Sequence, residues 1–68
     1  MTVGINVRRL RKARGYSQTD LAIRSGILQT TISSIERGGD PTSTNLSKLA
    51  DALNVTADDL LKEKEVTK

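Results

Sequence analysis

The sequence predicts an all-α domain of five short helices. Three observations carry this. Apolar residues recur at spacings of three and four. Helix stops and starts fall at regular intervals: Gly15, Gly26, the pair Gly38-Gly39 and Pro41 break the chain, and Ser17 and Thr56 each stand three residues before an Asp, the form of a capping box. No stretch alternates apolar and polar residues with period two, so no strand is expected.

The first helix runs from about Val3 to Arg14. Val3, Val7 and Leu10 follow the helical period, and Gly15 is a natural stop. Its other side is Arg8, Arg9, Arg11, Lys12 and Arg14. The second helix begins after Ser17 in "SQTD", spans about Gln18 to Arg24, and turns Leu21 and Ala22 inward. Gly26 ends it, with a positive φ expected. The third covers about Gln29 to Arg37. The fourth runs from Thr42 or Ser43 to Leu53, with Leu46, Leu49, Ala50 and Leu53 as its inner face. The fifth starts at Thr56, where "TADD" is the second capping box, and Leu60 and Leu61 form its apolar side. Residues 1–62 make one domain, and 63–68 a polar tail.

Sixty-eight residues allow one small core. With no Cys there is no disulfide and no thiolate metal site, and with no His the usual neutral-pH acid–base group is missing. No metal cluster, phosphate-binding loop or nucleophile–base pair is present, so no enzyme and no cofactor is expected. Asp58-Asp59 reads as charge at a helix start. No apolar run reaches the roughly 18 residues of a membrane span. A soluble cytoplasmic protein is the expectation.

The net charge is +3, but it is unevenly placed. Residues 1–37 hold seven bases and two acids, a net of +5; residues 38–68 hold four bases and six acids, a net of −2. A positive first half suits a polyanion. Tyr16 is the single aromatic, and modules for single-stranded nucleic acid use aromatic platforms. Duplex DNA is therefore the favoured polyanion.

The third helix is unusual. "QTTISS", Gln29 to Ser34, is uncharged and made mostly of poor helix formers. On a wheel of about 100° per residue with Ile32 at the origin, Leu28, Ile35 and Glu36 fall within about 60° of it. Gln29, Ser33, Arg37, Thr30 and Ser34 then occupy an arc from about 60° to about 200°. That outward face can offer amide and hydroxyl groups to base edges, while cations belong on phosphates. The spacing of Ala22, Gly26, Ile32 and Ile35 is that of a helix-turn-helix at about residues 18–36: a small residue under the crossing helix, a glycine at the turn, and two anchors.

These residues resemble the lambda-repressor-like helix-turn-helix family, the Cro/cI or Xre class. The resemblance rests on "VRRLRKARGYSQTDLAIRSGI", "TISSIERG" and "LSKLADALNVTADDLL" and covers about Ile5 to Leu61. It implies a sequence-specific regulator of transcription that binds operator DNA as a homodimer, with the helix at 29–37 in the major groove. Gln29, Thr30, Ser33 and Ser34 match base-facing positions. Gln18 matches a phosphate-clamping Gln, and Arg8, Arg9, Lys12 and Arg37 are further phosphate candidates. Arg11 and Glu36 resemble a structural ion pair. Val55, Leu61 and Val66 are the candidate dimer seam. The sequence departs from the family at Leu28, where a Ser or Thr cap is common, at Asp40 in a shortened loop, and at Ser43. The alternative function is a protein-interaction module such as the antitoxin of a toxin–antitoxin pair.

Overall fold

The structure is a computed structural model that describes residues 2–62. Five helices appear in that span: α1 (Thr2–Ala13), α2 (Gln18–Ser25), α3 (Gln29–Glu36), α4 (Ser43–Leu53) and α5 (Ala57–Leu61). There is no strand among the described residues. The proposed tail 63–68, with Val66, lies outside them.

Most boundaries follow local chemistry. Ser17 Oγ accepts the Asp20 N–H at 2.9 Å while Asp20 Oδ2 accepts the Ser17 N–H at 3.0 Å, a complete capping box. Thr56 and Asp59 repeat it at α5, and Thr42 caps α4 through the Asn45 N–H. Gly26 sits at φ 73°, ψ 22°, and its N–H closes on the Ala22 carbonyl. The buried Ser25 hydroxyl accepts the Ile27 N–H at 3.2 Å, which stiffens the corner before α3.

The core is Val3, Val7, Leu21, Ile27, Ile32, Ile35, Leu49, Ala50, Leu53 and Leu60. α1 packs on α3 and α5, α2 on α3 and α4, and α4 on α5. Burying a Leu or Ile side chain stabilises by about 1.5–3 kcal/mol, so this cluster supplies most of the favourable free energy. Leu61 departs from the expected pairing with Leu60. Leu60 is buried, but Leu61 is 52% exposed, because neighbours on a helix point about 100° apart and Leu60 takes the inward direction.

Asn6 lies on the same stripe of α1 as Val3, Val7 and Leu10, and is buried. Its Nδ2 donates to the carbonyls of Leu60 (2.8 Å) and Lys62 (2.7 Å), while its Oδ1 accepts from Arg9 Nη2 at 3.3 Å. Carbonyls at a helix end lack partners in their own helix. A five-residue helix is not stable alone; Asn6 ties its end to α1.

The start of α3 breaks the chain's own rule. Leu28 is the N-cap, with extended backbone (φ −61°, ψ 142°) and no side-chain cap. The wheel places it on the inner side with Ile32, but it is 74% exposed. The wheel does not extend to a residue outside the helix, and Ile27 takes the inward position. Leu28→Ser should therefore raise stability by about 1 kcal/mol through a new hydroxyl cap. Urea denaturation checks this; an unchanged or lower midpoint would mean that the orphan N–H groups of α3 gain nothing from a side-chain partner.

Candidate nucleic-acid interface

α3 presents Gln29, Thr30 and Ser34 to solvent, with Ser33 half-buried and Ile32 and Ile35 locked into the core. Two anchors on one face of a short helix leave its polar side little freedom. That side carries no charge until Arg37, the exposed C-cap.

Both ends of α3 are tied to the first turn of α2. At the start, the Thr19 hydroxyl donates to Gln29 Oε1 at 3.2 Å. At the end, Gln18 Nε2 donates to Glu36 Oε1 at 3.1 Å. Glu36 also accepts from Arg11, Nε to Oε2 at 2.7 Å and Nη2 to Oε1 at 3.1 Å. This is the planar, two-pronged geometry that suits guanidinium and carboxylate. Arg11 Nη1 donates further to the Tyr16 carbonyl at 2.8 Å. One guanidinium thus holds the end of α3, its own helix, and the turn before α2.

The pair is well buried, with side-chain exposures of 11% for Arg11 and 5% for Glu36. Burial pushes the Glu36 carboxyl up. The hydrogen bonds from Arg11 and Gln18, with the charges of Arg11 and Arg8, outweigh it and hold the group below its ordinary range. Glu36 is ionised at neutral pH.

The basic residues divide by partner. Arg8, Arg9, Lys12 and Arg37 are exposed, and the charge of Arg8 reaches Glu36. Arg24 lies over the Tyr16 ring, 4.3 Å from its centroid, so the single aromatic carries a cation on its face. Gln18 is half-buried with its amide on Glu36; what it offers a phosphate is chiefly the backbone N–H at the start of α2. A groove of about 360 Å³ opens on the other flank of α3. Thr30 and Ser34 form one wall, and Asp40, Pro41, Thr42 and Asn45 the other. The Asp40 carboxylate makes that flank less suited to a phosphate than the side bearing α1.

The corner, the held polar helix and the basic first helix make a recognisable set. A family model described as helix-turn-helix matches residues 7–60. The chain belongs to the Cro/cI-type helix-turn-helix family. It is similar to the HTH-type transcriptional regulator SinR of Bacillus licheniformis, with 36% identity over 67 residues, 96% of this chain and 60% of that protein. It is also similar to the uncharacterised HTH-type regulator y4dJ of Sinorhizobium fredii, 46% identical over 55 residues, 79% of this chain and 71% of that one. Among solved structures, the restriction-modification controller protein C.AhdI of Aeromonas hydrophila superposes with a TM-score of 0.83 at 37% identity, covering 87% of this chain and 91% of its own. SinR, the master regulator for biofilm formation, solved in complex with DNA, gives 0.84 at 34% identity, covering 88% and 98%. This helix-turn-helix chain spans 60% of the length of the SinR regulator it matches.

Within the family fold, Val55 is partly buried against the core and Leu61 is exposed. Three residues of consequence were not legible as such. Gly4 faces the backbone of α3, Asn6 holds α5, and Thr19 holds Gln29. A polar residue on an apolar stripe is the only trace Asn6 leaves in sequence. Thr19 leaves none, since its partner is ten residues away. Among the described residues, no group of three acidic, His or Cys side chains gathers to hold a metal. No helix there is long and apolar enough to cross a membrane.

Proposed function

We propose that this chain is the DNA-binding unit of a cytoplasmic transcriptional regulator, not an enzyme, and that α3 enters the major groove of operator DNA. Gln29, Thr30, Ser33 and Ser34 address base edges. Arg8, Arg9, Lys12, Arg37 and the backbone at the start of α2, with Gln18, address phosphates. The observation that carries the reading is the exposed, uncharged polar side of α3, fixed to the body at both ends. Base edges are read by hydrogen bonds from rigidly held groups, while phosphate contacts supply affinity without sequence. The relatives support it: SinR has been solved on DNA, and other relatives are transcriptional regulators.

The protein acts as a homodimer. Two copies place their recognition helices one turn of DNA apart, about 34 Å. Leu61, 52% exposed on α5, and Ile5, 57% exposed on α1, supply apolar surface for self-association on two helices that pack together. Val55 lies beside the core, and Val66 falls outside the described residues. The same surface is open to a protein partner; SinR has been solved with SinI.

Gln29→Ala should cost about ten-fold in affinity for a site selected from random duplexes and little on unrelated DNA. Arg9→Ala should weaken both and reduce the salt slope by about one. Titrations at several salt concentrations check this. Equal losses on both DNAs for Gln29→Ala would remove α3 from base reading.

A further inference from the structure

We propose that Thr19 is a positioning residue for base reading: it fixes the orientation of the Gln29 amide so that Gln29 offers a donor, and the atom it reads is a purine N7. The inference rests on α3 being the base-reading helix. A glutamine amide is two-sided, acceptor at Oε1 and donor at Nε2. Left to rotate on the surface, it accommodates base edges that accept as well as edges that donate, and its freedom is lost on binding. Thr19 sets the orientation: the oxygen spends one of its two lone pairs on the hydroxyl, while both Nε2 hydrogens stay free. Its hydroxyl donates to Oε1 at 3.2 Å, which turns the oxygen toward α2 and leaves the Nε2 hydrogens directed away from it. Both purines present N7 as an acceptor in the major groove, and guanine adds O6.

The neighbouring residue gives the contact its context. Gln18 is adjacent to Thr19 in the chain, and its own amide is committed to Glu36 at the far end of α3. The first turn of α2 therefore supplies one side chain to each end of the recognition helix. Thr19 is exposed and Gln29 is exposed, so neither contributes to the core. Their contact changes the presentation of a surface group and not the packing beneath it.

The test is a double-mutant cycle read on DNA. Sites are first selected from random duplexes with the full chain. Thr19→Val should then lower affinity for the selected site about five-fold, the equivalent of one neutral hydrogen bond. Unrelated DNA should bind as before. Thr19→Ser, which keeps the hydroxyl, should retain the affinity. In a Gln29→Ala background, Thr19→Val should cost nothing more, because the amide it positions is gone. Replacing purines one at a time by 7-deaza analogues should locate one position where wild type loses affinity and Thr19→Val loses far less. Additive losses for Thr19→Val and Gln29→Ala would overturn the proposal, as would a wild type indifferent to every deazapurine. Either result leaves base reading by α3 standing if a site is still selected. A protein that selects no sequence fails at the earlier step, and the role of Thr19 goes with it.

Discussion

Arg11→Met should lower the unfolding free energy by about 3 kcal/mol, the lower end of what removing one member of a buried ion pair costs. The lower end applies because both side chains keep some contact with solvent. The loss comes from what remains. Glu36 stays in its buried place with the Gln18 amide as its remaining hydrogen-bond donor and the charge of Arg8 as the remaining cation. The Tyr16 carbonyl loses its donor as well. Domains this small have stabilities near the low end of about 5–15 kcal/mol, so a large share of the margin disappears. Adding Glu36→Leu should recover most of it, since well-packed apolar pairs replace buried ion pairs at little or no cost. Urea denaturation of wild type and the two variants checks this. A single variant as stable as wild type would show that the pair contributes nothing to holding α3.

Acid acts on the same group. The folded Glu36 carboxyl titrates below its ordinary range. Its contribution is therefore complete above the unfolded value and is lost as pH falls through that value toward the folded one. Asp20 and Asp59 titrate low as well, each because the backbone N–H of its cap residue, Ser17 or Thr56, donates to it. Stability should fall below about pH 4.5 in wild type. Glu36→Gln should flatten part of that fall and leave the part due to the two capping boxes.

The elements that could be read in advance are those whose cause is local. Ser17 with Asp20, and Thr56 with Asp59, specify helix starts within four residues, and Gly26 specifies its turn by itself. The core stripe of α4 repeats often enough to be seen. What could not be read depends on residues distant in the chain. Leu28 satisfied the wheel but not the backbone it occupies, and Leu61 was paired with Leu60 although neighbours on a helix point about 100° apart. The uncharged polar side of α3 was visible because its composition opposes helix propensity, which requires a reason outside the helix. Its supports on α2 were invisible, because Gln18 and Thr19 find their partners only once the corner at Gly26 has formed.

Gly4→Ala should destabilise the domain by about 2 kcal/mol, although alanine is the better helix former. In an exposed helix the exchange gains about 1 kcal/mol. Here a Cβ at position 4 would fall inside the contact distance of the Ile35 carbonyl oxygen and 3.2 Å from the Glu36 Cα and carbonyl oxygen. These are backbone atoms in the last turn of α3, and no side-chain rotation relieves them. Overpacking costs about 1–3 kcal/mol where neighbours can give; a rigid backbone puts this case at the upper end, and the propensity gain offsets part of it. α1 must move away from α3, and it carries Val3 and Val7 in the core, Asn6 on the end of α5 and Arg11 on Glu36. The shift therefore loosens the end of the recognition helix along with the fold. Specific DNA affinity should fall more than the folded fraction accounts for, while Ile23→Ala, exposed on α2, should change stability little. Denaturation and binding measured at the same temperature check both halves. A Gly4→Ala protein as stable as wild type would mean that α1 and α3 do not approach this closely, and the clamp on α3 would then rest on side chains alone.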